Sequence, residues 1–264
     1  MKLKDKIALV TGASKGIGAA IAIGMAREGA DVVVNYNTDL EGAQQTMEAI
    51  KALGRKALAV KADISSTDEI FDMFNTIKER LGRVDVLVNN AGVTGWTDLF
   101  KITPEKWDYV INTNLRGTFF CCLEAARLMK DKGGGTIVNV STNCAELGVK
   151  NLVAYASSKG GIHAMTKQLA VELAPYNIRI NTFAPGPTNV DRNLRDDPDY
   201  RVTWGGVVPL NRTADAEEMV GPAVFLASDD SKFMTGQLFY VDGGWTIQGK
   251  IPEEYMEKSM KKNT

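Results

Sequence analysis

Short runs of β-branched and other apolar residues alternate with longer amphipathic stretches along almost the whole chain, and this alternation constrains the fold most. Residues 7–11, 31–35, 57–61, 84–88, 136–140, 178–183 and 237–241 read as strands. Residues 19–28, 40–53, 67–81, 104–130, 153–174 and 216–227 read as helices. Ser66 or Thr67 can cap the helix over 67–81, Pro175 ends the one over 153–174, and the 104–130 helix is expected to break or bend near its middle. Strands apolar along their whole length, separated by helices, imply a parallel sheet covered on both faces. The expectation is α/β: one doubly wound, Rossmann-type domain spanning 1–264, with about seven parallel strands. Such sheets bind ligands beyond the carboxyl ends of their strands, where the strand order reverses.

Two segments depart from the pattern. Residues 187–215 read as a long polar loop bordering a substrate, and 246–264 as a surface helix or frayed end. The 264 residues suit one large domain, and 44% hydrophobic with 24% charged residues suits a globular protein. The 31 basic and 32 acidic residues cancel and are dispersed, so the reading is no nucleic-acid partner and no anionic membrane surface. No stretch has the length of a membrane span or the features of a signal peptide. Cys121, Cys122 and Cys144 do not make a disulfide framework, and a reducing cytoplasm fits that usage. The single histidine, His163, excludes a multi-histidine zinc site and reads as a helix-surface or interface residue.

Chemistry enters at Thr11-Gly12-Ala13-Ser14-Lys15-Gly16-Ile17-Gly18, directly after the first strand and opening a helix. Glycines there permit a tight turn and bring backbone amides to a pyrophosphate at the helix N-terminus. A second constellation is Tyr155-Ala156-Ser157-Ser158-Lys159. Residues four apart share a helix face, so Tyr155 and Lys159 can serve one site. An ammonium beside a phenol lowers its pKa toward a usable acid or base.

The spacing Gly12-x-x-x-Gly16-x-Gly18 resembles the short-chain dehydrogenase/reductase superfamily rather than other dinucleotide folds. Asn89-Asn90-Ala91-Gly92, Asn114, Tyr155 with Lys159, Pro185-Gly186 and Asp242-Gly243-Gly244 follow in that family's order over residues 3–247. The resemblance includes bacterial sugar dehydrogenases and 3-oxoacyl-carrier reductases. It implies hydride transfer between a nicotinamide cofactor and a carbonyl or alcohol, with Tyr155 as general acid/base. It also implies a homotetramer built on the helices over 104–130 and 153–174, and a proton relay in which Asn114 holds a water beside Lys159. The family's serine is replaced by Thr142, with Ser141 next to it. Thr142 is assigned the role, and a weakened hydroxyl is the competing view.

No carboxylate stands at the end of strand two, where Asn35-Tyr36 lie, and Lys15 can meet a 2′-phosphate, so NADP is preferred with NAD possible. Asp63 and Ile64 match the family's adenine contact, and Thr188 is assigned to the nicotinamide carboxamide because Val190 occupies the family's usual threonine position. Trp96, Asn143, Leu147 and Trp204 are assigned to the substrate pocket, within a mixture that suits a small polar molecule such as a sugar, polyol or keto/hydroxy compound. Alternatives are a 3-oxoacyl-carrier-protein reductase and a catalytically weak cofactor-binding module, the latter favoured only by Thr142.

Overall fold

The computed structural model describes residues 1–249; the expectations for the tail beyond 249 lie outside the described residues. Strands β1 (Ile7–Val10), β2 (Asp31–Tyr36), β3 (Ala57–Lys61), β4 (Val86–Asn89), β5 (Gly135–Val140), β6 (Ile178–Pro185) and β9 (Leu238–Val241) form the main sheet. Their spatial order is β3-β2-β1-β4-β5-β6-β9, and every pairing is parallel. The order reverses between β1 and β4, so the crevice for a ligand opens beyond Val10 and Asn89.

Side chains alternate across the sheet because successive Cβ atoms point to opposite faces. Ala8, Val10, Val32, Val34, Val86 and Val88 face α1 (Gly16–Arg27), α2 (Leu40–Ala52) and α9 (Val220–Ala227). Leu9, Val33, Leu87, Ile137 and Ile180 face α3 (Thr67–Leu81), α5 (Gly117–Met129) and α6 (Val153–Leu173). Cys121 and Cys122 are fully buried in this second layer. Burial pushes the Cys122 thiol up to about 12, so it packs as a small hydrophobe.

Helix boundaries follow local chemistry. Ser66 caps α3 by accepting from the Glu69 amide at 3.3 Å, and Gly82 closes it at φ 73°. Asp39 caps α2 from the Gly42 amide at 3.1 Å. Thr103 and Pro104 start α4 (Pro104–Ile111). Between α4 and α5 the chain does not break: Asn112–Arg116 form a π turn, whose extra residue re-aims the side chains around Asn114.

The segment 187–215 is not the irregular loop its composition suggested. It holds β7 (Thr188–Asn189), α7 (Asp191–Asp196), α8 (Tyr200–Gly205) and β8 (Ala214–Asp215). β7 and β8 pair in parallel and fasten its two ends. These elements are too short to leave a hydrophobic period in the sequence. They arch over the carboxyl edge of the sheet as a lid.

The β6 end of the sheet is tied down by one guanidinium. Arg179 donates to Ser231 Oγ, Met234 O, Thr136 Oγ1, Leu226 O and Ser228 O at 3.0–3.2 Å. The planar fork matches this ring of oxygens, which an ammonium could not span. Arg179→Lys should cost about 2–3 kcal/mol of stability by leaving buried carbonyls unpaired. A denaturant titration checks this; an unchanged midpoint would show that the fork is dispensable.

Candidate active site

The floor of the site is a hydrogen-bonded junction between the ends of β1 and β4. Thr11 Oγ1 accepts from the Asn90 and Ala91 amides, both at 3.0 Å. The Asn90 side chain returns the connection, donating to Thr11 O at 3.0 Å and Gly12 O at 3.1 Å. Gly12 sits at φ 61°, and a Cβ there would lie 2.9 Å from Ala91 Cα. A side chain at Gly18 would run into the Gly12 carbonyl and the Asn90 amide. The glycines are therefore required by the close approach of two backbones.

Above this junction α1 starts with no side-chain cap and no acidic residue in its first turn. Its leading N–H groups and the positive end of its dipole point into the cleft. That donor set fits a dinucleotide pyrophosphate. Ser14, Lys15, Gly16 and Ile17 line the same cleft, with Tyr36, Ile64 and Gly92 beyond them.

Two residues assigned to the cofactor have other primary partners. Asn35 is buried; its Oδ1 accepts from the Gly12 amide at 3.1 Å, and its Nδ2 donates to Ala62 O at 3.1 Å and Val60 O at 3.3 Å. Its side chain braces the glycine turn and is not free to hold a ribose. The Asp63 carboxylate accepts from the Ser65 amide and hydroxyl at 2.8 and 2.7 Å. Lys15 pairs with Asp39 at 2.9 Å, an exposed contact that a competing phosphate could exchange at small cost. The Lys15 ammonium, and after it the Gly42 amide, hold the Asp39 carboxyl below the usual carboxylate range.

The reacting groups come from α6 and the end of β5. Tyr155 and Lys159 project from one face of α6 into the cleft, where the Thr142 hydroxyl lies beside the Tyr155 phenol. The same Thr142 oxygen accepts from the Cys144 amide at 3.2 Å. Ser141 faces the other way, lying 2.7 Å from His163 Nε2 and donating to Lys159 O at 3.4 Å. His163 is thus half-buried and engaged by Ser141.

Asn114 is fully buried on the π turn. Its Nδ2 donates to Val93 O at 2.9 Å and Ser158 Oγ at 3.0 Å, and its Oδ1 accepts from the Val93 amide at 2.8 Å. Its carbonyl accepts from the Thr118 hydroxyl at 2.6 Å. The side chain fixes the loop after β4 beside Lys159.

The electrostatics differ from the simple expectation of a tyrosine acidified by its lysine. Burial pushes the Tyr155 phenol up to about 12, outweighing the opposing influence of the Thr142 hydroxyl and the Arg192 charge. Burial also pulls Lys159 down to about 8; its ammonium donates to Val140 O at 2.8 Å and has no carboxylate partner among the described residues. The reason is the burial of both side chains, which penalises both charged forms.

Trp96, Asn143 and Trp204 line the substrate end of the cleft, whose volume is about 850 Å³, as do Pro185, Gly186 and Thr188. Asn143 is buried, with Nδ2 3.4 Å from Asp242 Oδ2, so it supports the wall. Leu147 does not line the cleft: the tight turn after Thr142, closed by Leu147 N to Asn143 O at 3.1 Å, carries it past the opening. Sequence reasoning missed Trp245, which packs edge-on against Trp204 at 5.8 Å. An aromatic directly after a glycine pair was the available signal.

A family profile described as enoyl-(acyl carrier protein) reductase matches residues 12–246. A 3-oxoacyl-[acyl-carrier-protein] reductase of Staphylococcus epidermidis is 37% identical over 240 residues, covering 91% of this chain and 98% of that protein. The chain belongs to the short-chain dehydrogenase/reductase superfamily. It is an oxidoreductase working between CH–OH and keto groups, as its relatives are. A 3beta-hydroxysteroid dehydrogenase 1 of Eggerthella lenta is 38% identical over 93% of this chain and 95% of that protein. A solved structure from Agrobacterium tumefaciens, provisionally described as a gluconate dehydrogenase, superposes with TM-score 0.89 and 37% identity, covering 94% of this chain and 98% of that one. No helix among the described residues is long and apolar enough to cross a membrane.

The uncompensated lysine has a measurable cost. An ordinary lysine titrates near 10.5 and Lys159 near 8, so the folded chain holds that proton less tightly. The penalty is full below pH 8 and fades as pH rises to 10.5. Lys159→Met should therefore stabilise the ligand-free protein at pH 7, by on the order of 1–3 kcal/mol, with a smaller gain at pH 9.5. Thermal melts at both pH values check this; destabilisation at pH 7 would contradict it.

Proposed function

We propose that this short-chain dehydrogenase/reductase uses NADP(H) to interconvert a carbonyl and an alcohol on a small polar substrate such as a sugar, polyol or keto/hydroxy compound. One observation carries the reading: Tyr155, Lys159 and the Thr142 hydroxyl share a cleft with the uncapped N-terminus of α1. The cofactor preference rests on Lys15 at the mouth of the glycine turn and the lack of a carboxylate at the end of β2. NAD remains a second substrate of the same site. Thr188 is the proposed carboxamide contact, and Ile64 with Asp63 the adenine contact. Cytoplasmic residence and a homotetramer complete the reading by analogy with the family.

In this mechanism the bound nicotinamide supplies the hydride in reduction and accepts it in oxidation. Tyr155 donates its phenolic proton to the carbonyl oxygen as the C–H bond forms. A phenol near pH 12 is protonated at neutrality, so the resting site is ready for reduction. Thr142 donates to the same oxygen and fixes the carbonyl against Tyr155. Lys159, held by Val140 O, offsets the charge developing on the phenol. Asn114 keeps the Val93 backbone and the lysine in register.

A second reading is reduction of 3-oxoacyl groups on a carrier, supported by the staphylococcal relative at 37% identity. It requires a surface that docks an acidic carrier, which near-neutral charge does not favour.

Tyr155→Phe separates binding from chemistry. It should bind NADPH within about threefold of the wild type and lose turnover by about 10²-fold or more, with either NADPH or NADH. Fluorescence titration and a carbonyl-reduction assay read the two effects. A mutant retaining full turnover would remove Tyr155 from the mechanism.

A further inference from the structure

We infer that the substrate of the proposed reaction is ring-shaped and presents a face of C–H groups, which stacks on an aromatic wall made by Trp204 and Trp245. The inference rests on the hydride-transfer reading and narrows its substrate class. Three of the chain's four tryptophans, Trp96, Trp204 and Trp245, line one cleft. They come from three separate places: the segment after β4, helix α8 of the lid, and the turn after β9. The ring centroids of Trp204 and Trp245 are 5.8 Å apart with planes at 75°, and those of Trp204 and Tyr200 are 5.7 Å apart at 34°.

The three rings of this wall play different parts. Tyr200 is buried behind Trp204, so it is the backing. Trp204 and Trp245 are only half-buried and border the cleft. A clasp serving only to hold the lid would gain most by burying both indoles completely. Leaving them open to the cleft keeps two large apolar faces in water, which an occupant would cover. Indole faces are negative and attract the C–H edge of a saturated ring. A rigid ring also loses little conformational freedom on stacking, whereas an extended acyl chain must be ordered bond by bond. Trp96, 55% exposed, adds a third indole to the lining of the same cleft.

The test compares rings with a linear chain in the full-length enzyme with NADPH or NADP. The probes are a pyranose, an inositol and a substituted cyclohexanone, against the acetoacetyl thioester of pantetheine. Tryptophan fluorescence reads binding and steady-state rates read turnover. The variants are Trp204→Leu, Trp245→Leu and the ring-preserving Trp204→Phe and Trp245→Phe, each required to melt like the wild type.

At least one ring compound should quench the fluorescence and exceed the thioester about tenfold in kcat/KM. Either leucine variant should raise its KM about tenfold. The phenylalanine variants should recover most of that loss. A thioester preferred over every ring, or leucine variants with unchanged KM for the ring, would overturn the inference while leaving hydride transfer intact. Wild-type enzyme that reduces or oxidises none of the four would remove the hydride-transfer reading and this inference with it.

Discussion

The structure depends on how β1 and β4 are joined where the strand order reverses. Four hydrogen bonds cross that junction at 3.0–3.1 Å, two between Thr11 and Asn90, one from the Ala91 amide to Thr11 and one from Asn90 to the Gly12 carbonyl, and Asn35 adds a fifth contact from β2. These bonds satisfy backbone groups that leave the sheet and would otherwise be orphaned. They also fix the glycine turn with its amides aimed outward. Because the first turn of α1 is left uncapped by its own side chains, its amides are free to meet a ligand in the cleft.

Around that floor, the reacting groups are held at a cost in stability. Lys159 is buried with a carbonyl as its hydrogen-bond partner, and Tyr155 sits where its anion is disfavoured. Each is unfavourable alone, and both follow from burial at the same end of α6. Such burial strengthens the effect of any charge that develops during reaction. The Asn114 side chain and the Ser141–His163 contact pin the two elements that carry Lys159 and Thr142. Neither contact needs a substrate to form, so the groups are arranged in advance.

Much of this was legible in the sequence, for identifiable reasons. The strand over Ala57–Lys61 and the helix over Thr67–Leu81 have the bounds expected of them, because a short apolar run and the Ser66 cap are local signals. Tyr155 and Lys159 share a face because the helical period demands it. The lid was illegible because β7, β8, α7 and α8 are held by distant partners, such as Leu210 to Gly243 and Trp204 to Trp245. The engagement of Asn35 depends on Gly12, Val60 and Ala62, and that of His163 on Ser141. The raised phenol of Tyr155 reflects burial, which a motif does not encode.

The central claim is that the Thr11–Asn90 junction shapes the cofactor site. Thr11→Val keeps the size and branching of the side chain and removes the oxygen that accepts both the Asn90 and Ala91 amides. The direct measurement is the dissociation constant for NADPH, by fluorescence titration, in a variant shown to remain folded. The account predicts binding weakened about tenfold or more, since two amides lose their acceptor and the turn its shape. Binding equal to that of the wild type would contradict it.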